Sequence, residues 1–298
     1  MKTLLPTIIA LLLSFQSVAA QNISIGYDYV SSSRLKDNDD NNYGTGDLSI
    51  LTASFNKTLS MKFNERRQPT IWIASINAQY GIMNNDGLAL SYNPDHIINA
   101  GVNFTHIRPI GKKWNVVATI GAGIYAPDDE IRLKSILVNG GVVFIYNLHP
   151  TLKLGIGGGL TNSFGAPMVL PMIYVSWERK GKFQFNIELL RELKISASTM
   201  LSPKFKLELA AFEMDGISAV MKIDNESKIY SSTMLKSYLG ASYQFDKHFS
   251  ISISAGVDWL RTAQIRDRDI KELFDFSDKS DRHFNPAFRG TAGLKYTF

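Results

Sequence analysis

Apolar and polar residues take turns along most of this 298-residue chain. Phe249, Ile251, Ile253, Ala255, Val257 and Trp259 alternate with Ser250, Ser252, Ser254, Gly256 and Asp258. Leu239, Ala241, Tyr243 and Phe245 alternate with Tyr238, Gly240, Ser242 and Gln244, and Phe183, Phe185 and Ile187 with Gln184, Asn186 and Glu188. The same rhythm runs through Leu152 to Thr161, Trp114 to Ile124 and Trp72 to Tyr80. A strand sends successive side chains to opposite faces, so each segment has one oily and one wet face. Period two at this length predicts strands.

The connections fall into two classes. Gly111-Lys112-Lys113, Asn147 to Pro150, Lys180-Gly181-Lys182, Ser202-Pro203-Lys204 and Asp246-Lys247-His248 are short. Ser33 to Gly46, Met83 to Asp95, Pro127 to Glu130, Asn162 to Pro167, Gly216 to Ser232 and Ala263 to Pro286 are polar and mostly longer. Their alternation predicts tight periplasmic turns on one rim of a barrel and longer extracellular loops on the other. With that parity, strands are expected near residues 23–31, 47–56, 70–82, 96–108, 114–125, 133–146, 152–161, 170–179, 183–189, 192–199, 204–214, 233–245, 249–262 and 287–298. The expected fold is therefore all-β, an antiparallel up-and-down transmembrane β-barrel of about 14 strands. Twelve is the alternative, if the short pair around Leu189-Leu190-Arg191 forms one irregular element. The stretch from Lys57 to Pro69 is long for a periplasmic turn.

Two features separate a barrel from an exported β-sandwich, which also alternates. Many wet-face positions are Gly, Ser, Asn or Thr instead of the charges usual on a face in bulk water. Aromatic residues also bunch at strand ends. Trp114, Tyr146, Trp177, Phe183, Tyr243, Phe245, Phe249, Tyr296 and Phe298 lie near short turns, and Tyr29, Tyr80, Tyr125 and Trp259 toward the long loops. Amphipathic rings favour both membrane–water interfaces.

The final segment, Phe288 to Phe298, places Phe288, Gly290, Ala292, Leu294, Tyr296 and Phe298 on one face. A last strand ending on an aromatic carboxy-terminal residue resembles the closing strand of bacterial outer-membrane β-barrels. That resemblance implies an insertion signal at Tyr296 and Phe298, read by the barrel-insertion machinery, and outer-membrane lipid as the surrounding partner. The whole mature chain resembles a Bacteroidota family of uncharacterised, porin-like outer-membrane β-barrel proteins.

The amino terminus fits that compartment. Lys2, the apolar run Ile8 to Leu13 and Ser17-Val18-Ala19-Ala20 read as a secretory signal peptide cleaved after Ala20. Its apolar run is too short to span as a helix, which needs about 20 residues. Residues 21–298 would form one barrel domain. With no cysteine in the chain, a lipidated amino terminus and disulfides are excluded. The mean hydropathy of −0.06 suits a barrel with a polar lumen. The net charge of +5 falls to +4 once Lys2 leaves. The basic residues are dispersed and not interleaved with aromatics, so nucleic acid is not an expected partner.

Candidate chemistry is sparse. Gly155 to Gly159 lacks the Lys-Ser/Thr of a phosphate loop and the turn-to-helix context of a dinucleotide site, so glycines permitting close backbone approach are the better reading. Asp37 to Asn42 offers oxygen ligands but reads as a solvated loop. The five histidines show no metal-ligand spacing, and no Gly-x-Ser-x-Gly motif is present. Neither an enzyme, a cofactor nor a metal site is expected.

The charges carry more. Lys or Arg facing lipid at the midplane costs about 2–4 kcal/mol, so strand charges belong in the lumen. The lumen candidates are Lys153, Glu178, Glu188, Glu192, Lys194, Glu208, Lys236, Asp258, Arg289 and Lys295. They would either line an aqueous pore and set its selectivity or pair across the barrel and close it. Residues 266–282, with mixed charges and an apolar set of Ile270, Leu273, Phe274 and Phe276, would be a lid over the mouth or a solvated loop. The expected function is a passive or gated pore for small solutes. The alternative is a non-conducting barrel whose extracellular loops bind a ligand or partner.

Overall fold

The computed structural model describes residues 21–91, 93–179, 183–189, 193–275 and 282–298. The alternating segments become fourteen long strands: β1 (Gln21–Asp37), β2 (Asn42–Phe63), β3 (Pro69–Ile82), β4 (His96–Pro109), β5 (Trp114–Pro127), β6 (Ile136–His149), β7 (Leu152–Thr161), β8 (Met168–Arg179), β9 (Phe183–Leu189), β10 (Leu193–Ser202), β11 (Phe205–Ile223), β12 (Glu226–Gln244), β13 (Phe249–Thr262) and β14 (Ala287–Thr297). Each pairs antiparallel with its sequence neighbours. β14 returns to β1 in the register Asn22↔Thr297 through Val30↔Arg289, which closes the ring. Three short pieces, Asn85–Asp86, Gln264–Asp267 and Arg282–Phe284, add to the sheet at the long-loop end. The strand count is fourteen because β9 and β10 are separate strands, paired from Phe183↔Thr199 to Leu189↔Leu193. This hairpin is short, so β8 beyond Ile173 and β11 beyond Met214 extend past it.

The face rule is the reverse of a soluble domain. Ile25, Leu51, Ile76, Phe104, Ile120, Ile156, Leu209, Ile253 and Leu294 all point outward and are exposed. Leaving a large aliphatic side chain in water forgoes about 1.5–3 kcal/mol of burial energy. Soluble monomers rarely expose contiguous apolar patches beyond a few hundred Å². A continuous belt of this kind therefore needs an apolar surrounding. At the short-turn rim, aromatic rings meet in pairs: Trp114 with Tyr146 at 4.8 Å between centroids, Tyr243 with Phe245 at 5.0 Å, and Tyr296 with Phe298 at 5.0 Å. Tyr125 departs from the expected girdle. It faces the lumen and packs against Val220 and Ile229.

The expected loop from Ser33 to Gly46 is largely the end of β1 and the start of β2. Two further expected connections are instead strand. From Lys57 to Pro69 the chain continues as β2 to Phe63 and turns tightly at Asn64–Gln68, where Asn64 N–H donates to the Gln68 carbonyl at 3.1 Å. The second is the presumed loop 216–232. It is the outer half of the β11–β12 hairpin, paired from Gly216↔Thr233 to Ile223↔Glu226. The tip residues Asp224 and Asn225 have φ of 49° and 69°, the doubly left-handed geometry of a type I′ hairpin turn.

That outer half does not rise into solvent. Gly216 to Val220 and Ile229 to Ser232 are buried without interruption, so both faces of the hairpin are covered. Ile217, Ala219 and Tyr230 join one apolar cluster with Leu48 of β2, Met83 after β3 and Ile97 of β4. Val220 and Ile229 pack on Leu137 of β6. Strands β2 to β6 are on the far side of the ring from β11 and β12. Touching them requires the hairpin to fold across the mouth, so the principal apolar core is a plug at the long-loop end. Tyr230 hydroxyl donates to Asn93 Oδ1 at 2.8 Å, and Thr233 hydroxyl to the Phe164 carbonyl at 2.7 Å. Glycine is required where the base of the plug meets the β7–β8 loop: a Cβ on Gly216 would lie 2.5 Å from Gly165 N.

Candidate functional site: the lumen beneath a plugged mouth

Beneath the plug, one side of the lumen carries a nearly continuous ion-pair network. Lys194 of β10 bonds Glu208 of β11 at 2.8 Å and Glu213 at 3.2 Å. Lys236 of β12 bonds Glu213 and Asp215, each at 2.7 Å. Tyr238 donates its hydroxyl proton to Glu213 at 2.7 Å and accepts from Lys194 at 2.7 Å. Arg289 of β14 spans Asp28 of β1 and Asp258 of β13, both at 3.1 Å. Lys206 bonds Glu208 at 3.1 Å. The network runs along adjacent strands of one wall and does not reach across the barrel. Charges of both signs are matched locally, so this wall presents little net charge to a passing solute.

Five of the ten sequence-derived lumen candidates meet in this network: Lys194, Glu208, Lys236, Asp258 and Arg289. Glu188 stands directly opposite Lys194 in the β9–β10 ladder. Lys153, Glu178 and Lys295 lie on strand ends near the short turns and are exposed, so they are not part of the buried cluster. Glu192 lies outside the described residues, as does Arg191. Asp28, Lys206, Glu213 and Asp215 were not among the lumen candidates, although Asp28 and Lys206 obey the alternation of their strands. Glu213 and Asp215 reach the lumen because a register shift between Ala210 and Glu213 inserts a bulge in β11. A bulge flips the parity of everything beyond it. Arg261, also missed, is buried where β13 bends into the plug, donating to the Gly46 carbonyl at 2.7 Å with its guanidinium 3.7 Å over the Phe284 ring.

The opposite wall, from β2 to β7, is lined by amides and hydroxyls. Asn77, Gln79, Asn99, Asn103, Thr119 and Asn139 line a cavity of about 370 Å³ directly beneath the plug. Asn139 donates to Asn103 at 2.8 Å, and Ser75 to Asn56 at 2.6 Å. The glycine run of β7 is ordinary strand, as its sequence context implied. A Cβ on Gly157 would stand 2.0 Å from the Val142 carbonyl oxygen, so the close approach of β6 demands glycine there. A second cavity of about 320 Å³ lies against the charged wall, between Asp28, Glu208, Lys236 and Arg289.

Of the segment 266–282, residues 276–281 lie outside the description. Gln264–Asp267 pairs with Lys228–Ser231 on the plug's free edge, and Arg266 is held by the Glu272 carboxylate and the Asp275 carbonyl. The mouth is filled by 216–232, and this piece buttresses it. Among the described residues, no group of His, Cys, Asp and Glu is arranged to hold a metal ion.

The sequence matches no curated protein. Similar architecture occurs in solved barrels of low identity. The COG4313 outer membrane channel from Pseudomonas putida F1 is 8% identical over 95% of this chain and 97% of its own, with a TM-score of 0.48. The transport unit of the autotransporter AIDA-I from Escherichia coli is 11% identical over 96% and 92%, at 0.40. The Pseudomonas putida toluene transporter TodX is 9% identical over 96% and 90%, at 0.35. Residues 16–297 match the family described as Domain of unknown function (DUF6268), and the chain belongs to that family.

Proposed function

We propose that this chain is an integral outer-membrane protein of a Gram-negative cell, exported with loss of residues 1–20, that admits small solutes through its lumen. Passage is gated by the 216–232 hairpin. The apolar outer belt and its aromatic rims support the membrane placement, and Tyr296 and Phe298 serve the insertion machinery. One observation carries the pore reading: beneath the apolar plug, polar side chains line cavities of about 370 and 320 Å³ in the lumen. A polar lining of that size makes room for water and small solutes instead of packed side chains.

A second reading is a non-conducting barrel whose outer loops bind a ligand or partner. It is favoured by the apolar packing of the mouth. Planar-bilayer recording separates the two. Ile217 and Ser232 are paired in the ladder, so replacing residues 218–231 with Asn-Gly should close a shorter hairpin and remove the plug. The pore reading predicts rare or small openings of the full chain and larger, sustained currents for the shortened one. Silence from both, with each shown to be folded, supports the scaffold.

A further inference from the structure

The two walls of the lumen differ in chemistry, and the difference points to a class of solute. We infer that the amide-lined cavity beneath the plug is a binding site for a neutral, polyhydroxylated solute of mono- or disaccharide size. This inference rests on the pore reading for how the solute reaches the site.

Three observations carry it. The first is composition. From β2 to β7 the cavity presents the side chains of Ser54, Asn77, Gln79, Asn99, Asn103 and Asn139. Carboxamides and hydroxyls each offer both a donor and an acceptor, which matches a sugar hydroxyl and gives no charge to neutralise a carboxylate or an amine. The one ionised group bordering the cavity, Asp215, is engaged through Oδ2 by Lys236 at 2.7 Å. The buried ion pairs of the lumen are gathered on the other wall.

The second is position. The cavity reaches the base of the plug, where Asp215 and Gly216 of β11 border it. Asn162 is buried at its upper edge with 4% exposure, its Nδ2 donating to the Val138 carbonyl at 3.3 Å. A solute that passes the hairpin therefore meets this wall first.

The third is shape. Tyr125 turns its ring inward from β5 onto the same cavity, against the expectation that it would join the outer girdle. An aromatic face beside convergent amides suits a pyranose, which has apolar C–H faces and a polar hydroxyl edge. The cavity volume of about 370 Å³ falls within the roughly 300–1,000 Å³ of small-molecule sites.

The test uses the full mature chain refolded in detergent micelles. Isothermal titration with maltose and glucose is set beside titration with glutamate and lysine, and maltose is also added to planar-bilayer recordings. Saturable maltose or glucose binding, with no binding of glutamate or lysine, is the expected result. Asn162→Leu and, separately, Asn103→Leu should each weaken it about tenfold, the equivalent of losing one or two hydrogen bonds. Both variants are first checked for native heat-modifiable gel mobility. If Asn162→Leu fails to fold, Asn103→Leu and Tyr125→Ala carry the test. Ionic current that maltose does not alter, together with no calorimetric binding, overturns the saccharide site while the pore stands. Maltose binding without any current supports the site and removes the pore. Binding of glutamate or lysine as strong as that of maltose also overturns the inference.

Discussion

Arg289 offers the sharpest test of how the closing seam is held. Its guanidinium lies on the last strand and bonds Asp28 of the first strand and Asp258 of β13, each at 3.1 Å, with 4% of its own side chain and 1% of that of Asp258 exposed. Arg289→Met keeps the length and removes the charge. Asp28 retains the Thr291 hydroxyl. Asp258 fares worse, because its Oδ1 already lacks a hydrogen-bond partner among the described residues. Removing one partner of a buried pair costs about 3–5 kcal/mol. The neighbouring cavity of about 320 Å³ lets water approach, which places the expected loss near the lower bound, at about 3 kcal/mol. The assay is denaturant titration of the chain folded in lipid vesicles, followed by tryptophan fluorescence. Lys295→Met, on the same strand but exposed, should change stability by no more than about 0.5 kcal/mol. The double variant Arg289→Met with Asp258→Leu should recover part of the loss, because the stranded carboxylate is gone. A loss below about 1 kcal/mol for Arg289→Met, or a double variant as unstable as the sum of its parts, refutes the desolvated-pair argument.

Other expectations follow from the same geometry. Tyr230→Phe removes the bond to Asn93 beneath the plug while keeping the ring, and should loosen the mouth by about 1 kcal/mol, seen as faster amide exchange confined to 217–232. Deleting Phe298 should lower the yield of folded barrel in cells several-fold while leaving spontaneous folding into synthetic vesicles nearly unchanged; equal effects in both would remove its role as an insertion signal. At the Asp246 turn, the backbone N–H groups of His248 and Phe249 hold the carboxyl below its ordinary value. A depressed carboxylate stabilises the fold above its unfolded value, and that contribution is lost as pH falls through the folded one. The gap in denaturant midpoint between the native chain and Asp246→Ala should therefore narrow on acidification below about pH 4. A constant gap would contradict this.

Much of the barrel was legible in the sequence because its physics is local. Period two, short turns and terminal aromatics located all fourteen strands. Legibility failed where alternation was interrupted. In 216–223, Ile217, Ser218, Ala219, Val220 and Met221 mix small and apolar residues without period two, because both faces are covered once the hairpin folds inward. The Asp224-Asn225 pair was a readable turn signal, but nothing local says that a hairpin bends across a ring. Glu213 and Asp215 were lost to a bulge that shifts parity by one residue. The ion-pair wall was half visible: Lys194, Glu208, Lys236, Asp258 and Arg289 stand out as strand charges, whereas their pairing depends on the shear of six strands.

If the 216–232 hairpin is the moving part of a solute pore, tying it to the far wall must stop the current. A Cβ placed on Gly81 would lie 3.2 Å from Ile217 Cδ1 across the mouth, and the chain has no cysteine of its own. The double variant Gly81→Cys with Ile217→Cys places two thiols at this contact, where a short bis-methanethiosulfonate cross-linker ties the plug to the far wall and a reductant releases it. Single-channel current in planar bilayers should be abolished in the cross-linked state and return on reduction. Equal current in the two states would contradict the gate.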